Sequence, residues 1–167
     1  EAVFGFGAGI FFIGYLLFGI PGAVLIERGS ASKWIARMLI VWGFCTVVIG
    51  FVRTPGEFYA ARFALGCAEA GFFPGIIIYF SHWFAQKDRA RAMAGFIMAI
   101  PVSLVFGAPF SAVILRVHWL GMPGWRWVFI LQGVAPVILG CITFFYLTDR
   151  PRDAKWLDPD EREQITA

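Results

Sequence analysis

Charge is what this sequence has least of. Of its 167 residues only 15% are Asp, Glu, Lys or Arg, where soluble domains carry roughly a quarter. Hydrophobic residues make up 59% and the mean hydropathy is +0.74, which excludes a soluble globular class. The shortage is also uneven. No charged residue interrupts 2–26, 92–115 or 127–148, and a bilayer core about 30 Å thick is crossed by ~20 apolar residues of helix. Each of these runs is long enough to span.

Other scarcities narrow the chemistry. Cys45, Cys67 and Cys141 lie in three separate apolar runs, with neither metal-ligand spacing nor a disulfide framework, and read as small packing residues. There is no histidine-rich cluster, no nucleophile with a matching base and no dinucleotide fingerprint, so no enzyme, catalytic residue, metal site or cofactor is expected. The order of a secretory signal peptide is missing as well, so the first run is membrane structure. A net charge of +3 would suggest nucleic acid in a soluble protein. Here its distribution carries the information instead, and no nucleic-acid partner is expected.

What is present is a set of five apolar segments. The expected spans are 4–26, 36–53, 58–84, 92–115 and 127–147, forming one transmembrane bundle over 1–147. Arg37 snorkels from the end of the second. Residues 148–167 form a cytoplasmic tail, in which Asp158 as cap, Pro159 in first position and Glu161 predict a short helix.

Orientation follows from the basic residues. The first connection holds Arg28, Lys33 and Arg37, the third Lys87, Arg89 and Arg91, and the tail Arg150, Arg152, Lys155 and Arg162; the opposite connections hold only Arg53, Arg116 and Arg126. The positive-inside rule makes the richer side cytoplasmic. The amino terminus is then outside and the tail inside, as five spans require. The outer connections, RTPGE at 53–57 and HWLGMPGWRW at 118–127, read as tight turns with Trp119, Trp125 and Trp127 at headgroup level. Glycine and proline recur within the spans, which suits close helix packing and kinks.

One segment breaks the pattern. RFALGCAEAGFFPG at 62–75 places Arg62 and Glu69 inside an apolar run. Seven residues is nearly two helical turns, so the two share a face about 10 Å apart along the axis, with Gly66 between them leaving room beside it. A charge at the bilayer centre costs at least ~2.5–3.5 kcal/mol, so both should face protein or a water-filled cavity. Glu69 lies near mid-span, where a carboxyl can take up and release a proton near neutral pH. Arg62, nearer the outside, stays charged and suits a carboxylate. That divides the labour between an anion partner and a proton carrier. The plainer alternatives are an Arg62 that snorkels or pairs with Glu57, and a Glu69 that only ties helices together. Tyr15, deep in the first span, requires a partner for its hydroxyl and serves either a cavity or an interhelical bond. His82 and Trp83 read as interfacial anchors. Ser103 and Ser111 either line a path or bond their own backbone.

Several stretches carry a resemblance. RFALGCAEAGFFPG, FGAGIFFIGYLLFGIPGAVLIER at 6–28, QKDRARAMA at 86–94, AIPVSLVFGAPFSAVIL at 99–115 and TDRPRDAKWLDPDERE at 148–163 together resemble the anion:cation symporter family of the major facilitator superfamily. Within it the resemblance is strongest to carboxylate permeases for tartrate, phthalate and sugar acids. It implies an all-α membrane protein whose five transmembrane helices are the second to sixth of a twelve-helix transporter. The N-terminal six-helix half is then incomplete, and the chain is expected to be a fragment whose partners include the remaining helices of the full-length transporter.

The resemblance further implies symport of a small organic anion with a proton or another coupling ion, in the plasma (inner) membrane and in contact with its lipid. Arg62 and, less directly, Tyr15 would bind substrate, and Glu69 would couple the proton. The superfamily's loop between its second and third helices usually has an Asp-Arg pair, a glycine and further basic residues. Here it reads ERGSASK, so Glu27 and Arg28 would form a weak version of the cytoplasmic latch. The competing class is a non-transporting helical scaffold or sensor, which predicts that Arg62 and Glu69 pair privately with no water-filled cavity beside them.

Overall fold

The computed structural model describes residues 2–27, 29–154 and 156–157; of residues 2, 20, 23–25 and 27 it describes the backbone alone. The described residues form helices α1 (Ala2–Glu27), α2 (Ala31–Ile49), α3 (Pro55–Ala70), α4 (Phe72–Trp83), α5 (Gln86–Ile97), α6 (Ala99–Leu115) and α7 (Gly124–Tyr146), followed by a 3-10 turn at Pro151–Asp153. None of the described residues forms a strand. The expected helix at Asp158, Pro159 and Glu161 lies outside the described residues.

Local chemistry explains where helices start. Ser30 caps α2 by accepting the Lys33 N–H at 3.3 Å. Asp149, far along the chain, accepts the Ser32 N–H at 2.9 Å, so the carboxy-terminal segment is tied to the start of α2. Thr54 and Glu57 form a reciprocal capping box at α3, with Pro55 in the first turn, which satisfies amides that would otherwise be orphaned. Glu57 accepts from the Arg53 N–H at 2.7 Å, so its carboxylate is engaged at the cap.

Two expectations are corrected. The span expected over 58–84 is divided at Gly71 into α3 and α4. Pro74 is the cause, since it has no N–H to donate and its ring crowds the carbonyl of Ala70. The basic segment QKDRARAMA, read as a connection between spans, is helical within α5. Alanine and arginine are strong helix formers, and Asp88 in the first turn complements the helix dipole.

Packing divides the molecule into two helix pairs. Helices α2 and α7 meet backbone to backbone: a Cβ on Gly133 would stand 2.6 Å from the Gly43 carbonyl oxygen, and one on Gly140 2.9 Å from that of Ala36. Helices α1 and α3 meet in the same way at Gly14 and Gly66. In lipid, where apolar burial between helices gains little, such contact supplies van der Waals attraction. The pairs join at one end of the bundle, where buried Ile49, Phe58, Ala61 and Leu65 pack with Phe11, Trp42 and Phe129. Arg126 adds a bond from its Nη2 to the Val52 carbonyl at 3.1 Å. By contrast α5 has no buried residue and α6 only Ile114.

The connection before α7 turns through Leu120 and Gly121, with φ of 55° and 70°. Trp119 stacks on Trp127 with centroids 5.3 Å apart, and the Trp127 indole N–H donates to the Trp119 carbonyl at 3.1 Å. At the opposite end Trp83 stacks on Trp156 at 5.8 Å and 2° between planes. Trp83 is therefore joined to the tail segment, beyond the anchoring role expected of it.

Candidate functional site

The site is built on α3, where Arg62, Gly66 and Glu69 follow at intervals of four and three residues and so share a face. The stretch Pro55–Trp83 is 29 residues long and apolar enough to span a membrane. Glu69 stands at its midpoint, half-buried, and Arg62 lies about two turns nearer its start.

Arg62 rests on α1. Its guanidinium carbon lies 5.1 Å from the centroid of the Phe11 ring, a cation–π contact worth up to about 2 kcal/mol when desolvated. Its Nε is buried and has no hydrogen-bond partner. A buried N–H left unpaired costs ~1–3 kcal/mol; among the described residues His82 Nδ1, Trp83 Nε1 and Arg89 Nε share this state. Among the described residues the only salt bridge joins Arg152 and Asp153. Neither Glu57 nor Glu69 forms a salt bridge with Arg62.

The space expected beside Gly66 is not open. A Cβ there would collide with the Phe11 carbonyl oxygen and stand 3.1 Å from the Tyr15 backbone nitrogen. The glycine is needed because α1 fills its side-chain volume, as happens when two backbones approach in lipid. This contact sets the height of Phe11 against Arg62. It also places Tyr15 on the same part of α1, its ring 6.2 Å from that of Phe11. The structure thus brings Arg62, Phe11, Gly66 and Tyr15 together, with Glu69 one turn beyond Gly66.

A cavity among the described residues lies elsewhere. It measures about 460 Å³ and is enclosed by α1, α2 and α3, with Phe18, Trp34, Met38, Cys45 and Cys67 in its wall. Ala64, Cys67 and Ala68 of α3, with Gly71 just beyond it, lie on the side of the helix away from Arg62 and Glu69. The cavity is lined almost wholly by carbon and sulfur and offers nothing to an anion.

Other expected residues divide. The Ser103 hydroxyl donates to its own backbone at Ile100, 2.7 Å away, whereas Ser111 accepts from Gln132 Nε2 of α7 at 3.0 Å. The latch assigned to Glu27 and Arg28 lies outside the described residues and side chains. Sequence reasoning missed Phe11, although its position four residues before Tyr15 puts the two on one helix face. It missed Trp34 as well, whose indole N–H donates to the Gly71 carbonyl at 3.0 Å; a lone tryptophan near a helix end carries no signal of such a partner.

Known proteins resemble this chain along most of its length. A protein of Agrobacterium vitis named for tartrate transport is 50% identical over 166 residues, covering 99% of this chain and 38% of that protein. The inner membrane transport protein RhmT of Escherichia coli (strain K12) is 39% identical over 163 residues, covering 97% of this chain and 38% of that one. Among solved structures, a bacterial homologue of the human lysosomal transporter Spinster, inward-facing and unoccupied, superposes with a TM-score of 0.74 at 25% identity, over 92% of this chain and 37% of that chain. The chain spans less than two fifths of the length of these relatives. They are transporters rather than enzymes, and the apolar helices make this chain an integral membrane protein. With residues 1–166 matching its sequence pattern, the chain belongs to the Major Facilitator Superfamily.

Proposed function

We propose that the full-length protein is a secondary active transporter that carries small organic anions, carboxylates in particular, together with protons by alternating access around a midplane site. The observation that carries this reading is Arg62: a cation held against Phe11 with a buried Nε–H that no group among the described residues accepts. A carboxylate is the ligand such a donor fits, since the guanidinium fork matches its two oxygens. Tyr15 supplies a second polar group from α1. Glu69, at mid-span and without an ion-pair partner among the described residues, is free to change charge and serves as the proton carrier. The tartrate name borne by the Agrobacterium relatives supports a carboxylate as the anion.

The same reading places the protein in the plasma (inner) membrane, with the start of this chain outside and its tail in the cytoplasm. Glu27 and Arg28 then act as a cytoplasmic latch, and 148–167 forms the start of the central cytoplasmic segment. The test is uptake of labelled dicarboxylates by the full-length protein in proteoliposomes with an imposed pH gradient. Proton-driven accumulation that Arg62→Ala removes is the expected result. Accumulation unchanged in that variant refutes the assignment.

A further inference from the structure

The long span is interrupted two residues after Glu69, and what holds the interruption is a side chain from another helix. Pro74 withdraws one backbone N–H from the ladder, and α3 gives way to α4 at Gly71. The Gly71 carbonyl then accepts twice, from the Gly75 N–H at 3.3 Å and from the Trp34 indole N–H at 3.0 Å. The second bond is the shorter and comes from α2.

The indole lies in a recess of glycines. A Cβ on Gly71 would stand 3.0 Å from Trp34 Cζ2 and Nε1; one on Gly75 would stand 3.3 Å from Trp34 Cδ1, and one on Gly22 of α1 3.9 Å from Cζ2. Three glycines on two chain segments leave room for one ring, and Met38 Sδ, 3.2 Å from the same Gly71 position, packs beside it. A kink that needed only flexibility would not require a shaped recess and a directed donor. Proline kinks in membrane helices are tolerated where neighbouring groups support the altered backbone; here a single rigid group from α2 bonds the carbonyl of Gly71, next to the Ala70 carbonyl that Pro74 leaves without its usual donor.

We infer that Trp34 is a positioning residue for the transport site: its indole N–H, seated on the Gly71 carbonyl, sets the angle between α3, which carries Arg62 and Glu69, and α4, which runs toward the tail. The bond is a natural pivot. While it is made, the two halves of the span hold one angle; when it is released, α4 rocks about Gly71 and Glu69 changes its outlook. The inference depends on the transport reading for its effect on rate, while the angle itself is measured without it.

The experiment uses the full-length protein with its native cysteines replaced and spin labels at Ala60 and Ile77, exposed positions on either side of the break. Their separation of about 25 Å along the helix suits pulsed dipolar spectroscopy. Trp34→Phe keeps the ring and removes the donor; Gly75→Ala keeps the donor and displaces the ring. Each is expected to broaden the distance distribution. Loss of one hydrogen bond predicts a maximal uptake rate about three- to tenfold lower, with the substrate KM held within about twofold because the anion contacts are untouched. Should Trp34→Phe fail to fold, Gly75→Ala decides alone. Distributions as narrow as in the parent overturn the pivot. Broadened distributions with parental uptake overturn its part in transport. A parent that moves no dicarboxylate sinks the transport reading, and the distance measurement still decides the pivot.

Discussion

Helices α2 and α7 meet through Gly43, Gly133 and Gly140, and helices α1 and α3 through Gly14 and Gly66, in each case backbone against backbone. The two seams differ in what stands at their margins. Beside Gly133 there are only Val47, Val137 and their neighbours. Beside Gly66 there are Arg62 on Phe11, the Tyr15 backbone and, one turn on, Glu69. Among the described residues, the first seam meets charged side chains only at its ends, where Arg126 bonds the Val52 carbonyl and Asp149 accepts from the Ser32 N–H. The second uses the same packing to hold a cation at a defined height in a low-dielectric environment, where its contacts are worth more than in water. Close approach of glycines therefore does not by itself distinguish the two seams; the charge held mid-way along one of them does.

Substitutions in the two seams should separate these roles. The largest effect is expected from Glu69→Gln in the full-length protein: proton-driven accumulation is lost while anion exchange at equal pH persists. Accumulation at the parental level would remove Glu69 from coupling. Next, Arg62→Ala deletes two or so charge-assisted bonds to a carboxylate, so the anion should bind about 100-fold more weakly. Titration calorimetry or a competition assay reads this directly, and the melting temperature should change little.

Gly133→Leu tests the apolar seam. Its side chain would meet the backbone of Gly43 and Val47, which cannot move aside as a side-chain tip would, and overpacking of this kind costs ~1–3 kcal/mol. Thermal unfolding in detergent should report that loss, with the anion KM of the surviving folded protein unchanged. Gly66→Ala is the matching change in the other seam. It should lower both stability and anion affinity, because the added methyl displaces Phe11 together with the guanidinium that rests on it. Equal behaviour of the two variants would erase the distinction between the seams. The smallest effect is expected from Phe11→Leu, which keeps the bulk and removes the ring quadrupole. A cation–π contact of about 0.5–2 kcal/mol predicts anion binding weakened some two- to thirtyfold.

Much of this was legible beforehand in the charge pattern. Every helix of the bundle except α5 lies across one of the uncharged or nearly uncharged runs, and Arg62 and Glu69 stood out because each is costly in a bilayer wherever its partners are. The helix ends were less legible. The break at Gly71 required weighing Pro74 against an apolar run that is otherwise continuous, and the helical QKDRARAMA segment required propensity to prevail over its charge.

The difference is one of range. Hydropathy, charge spacing and capping chemistry act within a few residues, so the sequence by itself determined that this chain enters a membrane, where its helices run and which two charges are out of place. Contacts such as Trp34 with Gly71 or Asp149 with Ser32 join residues 37 and 117 positions apart, and no local pattern encodes which pairs will meet. Only the tertiary structure decided that α1 fills the space beside Gly66, that the open cavity lies behind the charged face and not in front of it, and that Phe11 is the surface on which Arg62 rests. The physical reason is that two helices can approach wherever both present small residues, and which glycines find each other depends on the whole packed bundle.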